Sequence, residues 1–240
     1  MNAGFKRRDV VKGGLIGAAA LTVPGRALAE PLGQAFDQAF AQPAPAGPAV
    51  LSPATPPFTV PAAPEPNPAY ERRVLEIARR EVARAGSSVW RRDIAGIADF
   101  ARPSSLPRFH FANLENGTVR SFLVAHGKGS DREHDGWLKN FSNVRGSEAT
   151  SRGGYLTCEW YTGKYGTSIR LVGLDPDNSQ ALDRAIVVHP AWYVDPGMIP
   201  KWGKIGRSEG CFAMAPGDFN EALWHLSGGR LLYADRIALA

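Results

Sequence analysis

Between residues 108 and 125 the chain offers two short alternating runs on either side of Glu115-Asn116-Gly117. Asn-Gly readily adopts the positive φ angles of a tight hairpin turn, so this stretch is committed to antiparallel β structure. The pattern then repeats. Residues 155–161 alternate around Cys158, residues 168–174 follow Gly166, residues 184–189 form an apolar β-branched run, and residues 231–233 make a last strand. Short strands punctuated by turn signals predict a mainly β domain, either a β-sandwich or an open barrel.

Helices are few. Asn67 followed by Pro68 reads as a cap and a first helical position, where proline's missing N–H costs nothing. Tyr70, Val74, Leu75, Ile77, Ala78, Val82 and Ala83 then recur at helical spacing until Ala85-Gly86. A second helix or turn is expected over residues 90–100, before Pro103. Asp218 with Glu221 predicts a capping box for a short C-terminal helix through Ala222, Leu223 and Leu226, stopped at Gly228.

The N-terminus reads as an export signal over residues 1–29. Lys6-Arg7-Arg8-Asp9 is a twin-arginine box, an apolar stretch follows, and Ala27-Leu28-Ala29 is a small-x-small cleavage site. That stretch is shorter than the roughly 20 residues needed to span a bilayer, so any membrane contact is expected through the uncleaved signal alone. The expected route is the twin-arginine translocation machinery, and the expected location is the periplasm. Residues 30–66 are rich in Pro and Ala, as in Pro43-Ala44-Pro45-Ala46-Gly47-Pro48, and read as an extended linker with little to bury. The folded domain is then expected over residues 67–240. The signal carries most of the formal net charge of +5, so the remainder is nearly neutral and does not read as a nucleic-acid binder.

Ser208-Glu209-Gly210-Cys211, with His189 ending the run before it, carries the chemistry. A thiol in a Gly-containing turn and an imidazole from a separate strand are the parts of thiol-based acyl transfer, in which Cys211 attacks and His189 takes its proton. Ser208 either orients the imidazole or simply makes the turn. Gly210 and the Cys211 N–H are candidate oxyanion donors. Arg207 and Arg184 flank the site and either bind substrate carboxylates or form salt bridges. Trp192, Tyr193 and Trp202 lie on the intervening loop, as a lid wall or as packing. Cys158 allows a competing disulfide with Cys211 in an oxidising compartment. His126 reads as structural or as part of a cleft rim. No His-x-x-x-His or Cys-x-x-Cys spacing suggests zinc.

A histidine, a loop and then Ser-x-Gly-Cys resemble the L,D-transpeptidases. Longer segments resemble one branch, the murein L,D-transpeptidase catalytic domain proteins. They are Val124-Ala125-His126-Gly127-Lys128, Phe141-Ser142-Asn143-Val144-Arg145-Gly146-Ser147, Gly163-Lys164-Tyr165-Gly166, Leu171-Val172-Gly173-Leu174-Asp175 and Arg184 through His189. The resemblance implies an L,D-transpeptidase-like β fold with no metal or organic cofactor, acting on peptidoglycan stem peptides. The cysteine would attack after the third residue of a tetrapeptide, expel D-alanine and hold a thioester, which an amine or water resolves. It also implies that Asn143, Tyr155 and Ser151 line the cleft. The alternatives are a stem-peptide hydrolase on the same site, or a wall-binding protein on a degenerate fold. Pro190 and Glu209 depart from the pattern, and a carboxylate beside the thiol raises its pKa.

Overall fold

The computed structural model describes residues 67–237, so the expected signal and linker lie outside the described residues. Helix α1, Pro68–Ala85, starts where Asn67 accepts the N–H groups of Ala69 and Tyr70, and ends at Gly86 with φ +55°. Eight strands follow: β1 Ile94–Asp99, β2 Phe109–Asn113, β3 Thr118–Phe122, β4 Gly153–Gly163, β5 Gly166–Gly173, β6 Val187–Pro190, β7 Phe212–Met214 and β8 Leu231–Asp235. A short helix α2, Met198–Trp202, precedes β7, and α3, Phe219–Leu226, precedes β8. Among the described residues no helix is long and apolar enough to cross a membrane.

The strands form one sheet in the order β3-β2-β1-β8-β4-β5-β6-β7. The β1–β8 and β6–β7 pairs are parallel and the rest antiparallel. The chain leaving β3 then runs beside the segment that contains β7, with Ala125 bridged to Ala213 and Gly127 to Ser208. The two edges of the sheet therefore meet, as in a barrel, and the edge of β7 is covered rather than left open. The mainly β fold with a helix at each end matches the sequence pattern, and the Asn-Gly hairpin forms between β2 and β3 with Gly117 at φ +69°.

Three local expectations change. Residues 94–99 are a strand rather than a helix or turn, and all six are buried. Ala95 and Ile97 pack under α1 with Val74, Ile77 and Ala78, while Ala98 faces the second core with Phe109 and Leu226. A strand covered on both faces loses the alternation that would have marked it. The Asp218 side chain does not cap α3, and Glu221 turns instead to Arg120 and to His225 at 3.2 Å. Strand β6 starts at Val187 because Ala185 takes φ +53°, a left-handed conformation that a strand cannot contain.

Burial of α1's apolar face is the main tie between helix and sheet, at about 1.5–3 kcal/mol for each large aliphatic side chain. Polar contacts fix its register. Tyr70 donates to Asp99 at 2.6 Å and lies 2.9 Å from His110 Nε2, and Arg84 grips Asp175 with both terminal nitrogens. A third apolar cluster joins Ala125 and Ala213 to Ala191, Val194 and Ile205, so the loop over residues 190–207 packs on the outer face of β6 and β7.

Candidate active site

Cys211 stands at the entrance to β7, in a turn that the preceding residues hold closed. Ser208 Oγ donates to the Cys211 carbonyl at 2.6 Å and accepts from Gly210 N at 3.2 Å. The Ser208 backbone is itself laced to the 126–128 segment, through Ser208 N to His126 O at 2.9 Å and Lys128 N to Ser208 O at 2.8 Å. Gly210 has φ +116°, and a Cβ there would meet the Ala149 carbonyl at 2.9 Å. Only glycine fits. Gly210's N–H is directed at Ser208, so the glycine's observed part is to make the turn.

His189 lies on the neighbouring strand β6. Val188 pairs with Phe212 and His189 with Ala213, so continuing the parallel register sets Val187 beside Cys211. Paired residues share a face and alternate residues return to it, which puts Cys211 and His189 on one face of neighbouring strands. His189 Nδ1 lies 3.0 Å from the Pro190 carbonyl. A carbonyl only accepts, so Nδ1 carries the proton and Nε2 keeps its lone pair. The imidazole's orienting contact therefore comes from a backbone carbonyl, while the Ser208 hydroxyl, expected as one candidate for that role, is engaged in the turn. Tyr165, at the tip of the β4–β5 hairpin, stacks on the imidazole with ring centroids 4.5 Å apart. Burial pushes the His189 pKa below its ordinary value and the Pro190 contact opposes this, which keeps the ring neutral near pH 7.

The thiol is almost enclosed, at 7% exposure, and its pKa is pushed up to about 11. Burial is the main cause. The Val187 backbone pulls it down, the Glu209 carboxylate pushes it up, and Arg184 pulls it down. Its hydrogen bond is to the Ala185 carbonyl at 3.7 Å, on the residue in the left-handed conformation. Cys158 is also a free thiol, so the alternative disulfide is not formed.

The remaining expected residues brace the site. Arg184 donates to the Ser142 carbonyl at 2.7 Å, to Ser151 Oγ at 2.6 Å and to the Ala149 carbonyl. Arg207 donates to the carbonyls of Asp131 and Arg132. Asn143 donates to Pro176 O and Ser179 Oγ and accepts from Gln180 N, joining two loops. Tyr155 is wholly buried against Phe212, with its hydroxyl donated to the Ser151 carbonyl at 2.8 Å, so it is a core residue where a cleft wall was expected. Ser151 is buried as well, its hydroxyl donated to the Ser142 carbonyl.

A sequence model described as the L,D-transpeptidase catalytic domain matches residues 67–234. The chain belongs to this family. No curated protein matches it. Among solved structures it is similar to an L,D-transpeptidase from Mycobacterium smegmatis, at 15% identity over 60% of this chain and 58% of that one, with TM-score 0.36. It is also similar to L,D-transpeptidase 3 from Mycobacterium tuberculosis, at 12% identity over 60% and 61%, with TM-score 0.38. A third is the helical cell shape determining protein Pgp2 (K307A mutant) from Campylobacter jejuni, at 13% identity over 68% and 56%, with TM-score 0.39. The chain thus spans less than two thirds of the length of these proteins.

In this member of the L,D-transpeptidase catalytic domain family, His126 is a structural node. Arg108 is fully buried, donates to the Val124 carbonyl and lies 2.7 Å from His126 Nδ1, while His126 Nε2 faces Asp131 at 3.3 Å. Burial first, then Arg108, pushes the His126 pKa down to about 3. This network stiffens the segment on which Ser208 is hung. Gly127 has no room for a side chain, since a Cβ would stand 2.2 Å from the Glu148 carbonyl and 2.8 Å from Gly210. Trp192, Tyr193, Met198 and Trp202 line a cavity of about 360 Å³ with His134 and Lys204, and neither Cys211 nor His189 is among its lining residues. Among the described residues no group of three or more His, Cys, Asp or Glu side chains converges as a metal site would require. Sequence reasoning missed the Pro190 carbonyl and the Ala185 conformation. In the sequence Tyr165 stands only as part of the Gly163-Lys164-Tyr165-Gly166 segment.

Proposed function

We propose that this protein is an exported L,D-transpeptidase that cross-links or remodels peptidoglycan through a thioester. Cys211 is the nucleophile and His189 the general base and then acid. The strand register that sets the two on one face, with Nε2 left free by the Pro190 contact, carries the reading. The Sγ–H proton passes to His189 Nε2 as sulfur attacks the carbonyl of the stem's third residue. The C–N bond to D-alanine then breaks, and the imidazolium returns its proton to the leaving amine. A second stem's amine, or water, attacks the thioester, and His189 takes the proton that the acceptor loses. Ser208 and Gly210 hold the turn, and the Cys211 N–H is the proposed oxyanion donor. Arg207 and Asn143 act by fixing the surrounding loops, and Tyr155 supports β7 from the core. No cofactor is required. The N-terminal residues 1–29 are proposed as a twin-arginine signal that delivers the folded domain to the periplasm, and residues 30–66 as its tether.

The test is to incubate the chain with a purified tetrapeptide stem and measure intact mass. An acyl adduct on the wild type and none on Cys211→Ala is expected. An adduct that survives in Cys211→Ala, or no adduct and no product from the wild type, refutes the assignment. Dimeric products identify transfer, whereas shortened monomers identify hydrolysis on the same site.

A further inference from the structure

The nucleophile's face of the sheet carries a cation that neither the motif nor its neighbours in sequence bring to attention. In the β5–β6 pair Arg170 stands opposite Val187, and the β6–β7 register places Val187 beside Cys211. Arg170, Val187 and Cys211 therefore form one row across three strands. Two strand spacings separate the ends of the row, about 10 Å between α-carbons. Members of a row share a face, so Arg170 projects on the side that bears Cys211 and His189. An independent contact agrees. The Arg170 guanidinium lies 4.6 Å from the centre of the Tyr161 ring, and Tyr161 pairs with Ser168 on that same face. With Tyr161 and Glu159 both on β4, the side chain rests turned toward β4 and must swing across β5 to meet a peptide at Cys211.

Other cations around the thiol are committed elsewhere. Arg184 and Arg207 hold backbone carbonyls, and Lys128 sits between Glu148 at 2.8 Å and Glu209 at 3.5 Å. Lys164, at the exposed hairpin tip, leans on the Tyr165 ring at 5.2 Å. Arg170 differs from Lys128 in its planar guanidinium rather than in its pairing. Its charge partner is Glu159 at 2.8 Å, and the two side chains are 41% and 64% exposed, much like Lys128 and its partners. An exposed pair of this kind is weak and exchanges readily for a better-placed carboxylate. The planar guanidinium suits such a group because it offers two parallel N–H donors.

We infer that Arg170 is a specificity residue that captures a carboxylate of the donor peptide near the attacked carbonyl, with Glu159 holding its place until the peptide arrives. The inference rests on the proposed acyl transfer at Cys211. Two sources share this chemistry: the C-terminal carboxylate of the residue expelled, and a free carboxylate on the residues before the scissile bond.

Steady-state kinetics of the full chain on three substrates tests this. They are the tetrapeptide stem, its C-terminal amide, and the stem with the carboxylates before the scissile bond amidated. Arg170→Gln is expected to lower kcat/KM on the parent stem by about 10- to 100-fold, mostly through KM. On the analogue that lacks the recognised carboxylate the same variant should change kcat/KM by less than about twofold, which both names the source and shows that the fold is intact. Arg170→Lys should recover part of the loss on the parent, since it keeps the charge without the paired donors. Equal losses on all three substrates, or no loss on any, overturn the role of Arg170 while leaving Cys211 chemistry standing. A wild-type protein that turns over none of them overturns acyl transfer and the role of Arg170 together.

Discussion

The resting thiol should be a poor nucleophile toward small reagents, and the size of that deficit follows from its surroundings. Burial and the Glu209 charge push Cys211 up to about 11 against the opposing pull of the Val187 backbone and Arg184. At pH 8 about 0.1% of such a thiol is ionised, against about a quarter of an ordinary cysteine near 8.5, a deficit of roughly 200-fold. The assay is alkylation by iodoacetamide in a Cys158→Ser background, with rates measured from pH 7 to 10.5. The logarithm of the rate should climb about one unit per pH unit without levelling off below about pH 10. Glu209→Gln should move the curve to lower pH, because it removes a negative charge beside the sulfur. A plateau below pH 8 would refute the reasoning, since it would mean a preformed thiolate–imidazolium pair. If the slope holds, the proton leaves sulfur only as the acyl carbonyl is attacked, and the neutral His189 must be there to receive it.

Acid should weaken the fold. His110 is buried with a pKa pushed down to about 3 by burial first and Arg102 second, below its unfolded value near 6.5. Its contribution is intact above pH 6.5 and declines as pH falls toward 3, because the unfolded chain takes up the proton first. At pH 5 the loss is about 2 kcal/mol, readable as a lower urea midpoint that His110→Gln makes less dependent on pH, and an unchanged midpoint from pH 7 to 5 would contradict this. Gly127→Ala should cost roughly 3 kcal/mol and speed alkylation of Cys211, because the new methyl must displace either the Glu148 carbonyl or the Gly210 turn. Wild-type stability and alkylation in that variant would show that the segment has slack. Tyr165→Ala uncovers the imidazole, so the His189 pKa, followed by NMR, should rise toward 6.5, and no movement would show that the stacked ring contributes nothing to its burial.

Helix α1 and the β2–β3 hairpin were legible because each announces itself locally, through a cap with helical spacing in one case and Asn-Gly between alternating runs in the other. Strand β1 was not, since its six residues are buried on both sides and resemble any apolar run. Strand β7 has three residues, too few to show a period. Within the site, Cys211 and His189 stood out by residue type and order. Their supports did not, because the group holding the imidazole is a main-chain oxygen of Pro190, for which no side chain speaks. Arg184 and Arg207 read equally as carboxylate binders or salt-bridge formers and Asn143 as a cleft residue, but their donors are turned toward carbonyls and serine hydroxyls that only the folded loops bring near. Arg170 gained meaning from strand register alone.

The meeting of the 125–127 segment with residues 208–213 has a consequence for the order of assembly. These partners are distant in sequence, so the chain must organise its intervening strands before the loop-closure entropy of joining them is offset. The turn that presents the thiol is closed locally by the Ser208 hydroxyl, but its backbone is anchored to the 126–128 segment only when the last seam of the barrel zips. Chemical competence in this protein is therefore a late product of folding, and amide exchange at Ser208 and Lys128 would report the moment at which it is gained.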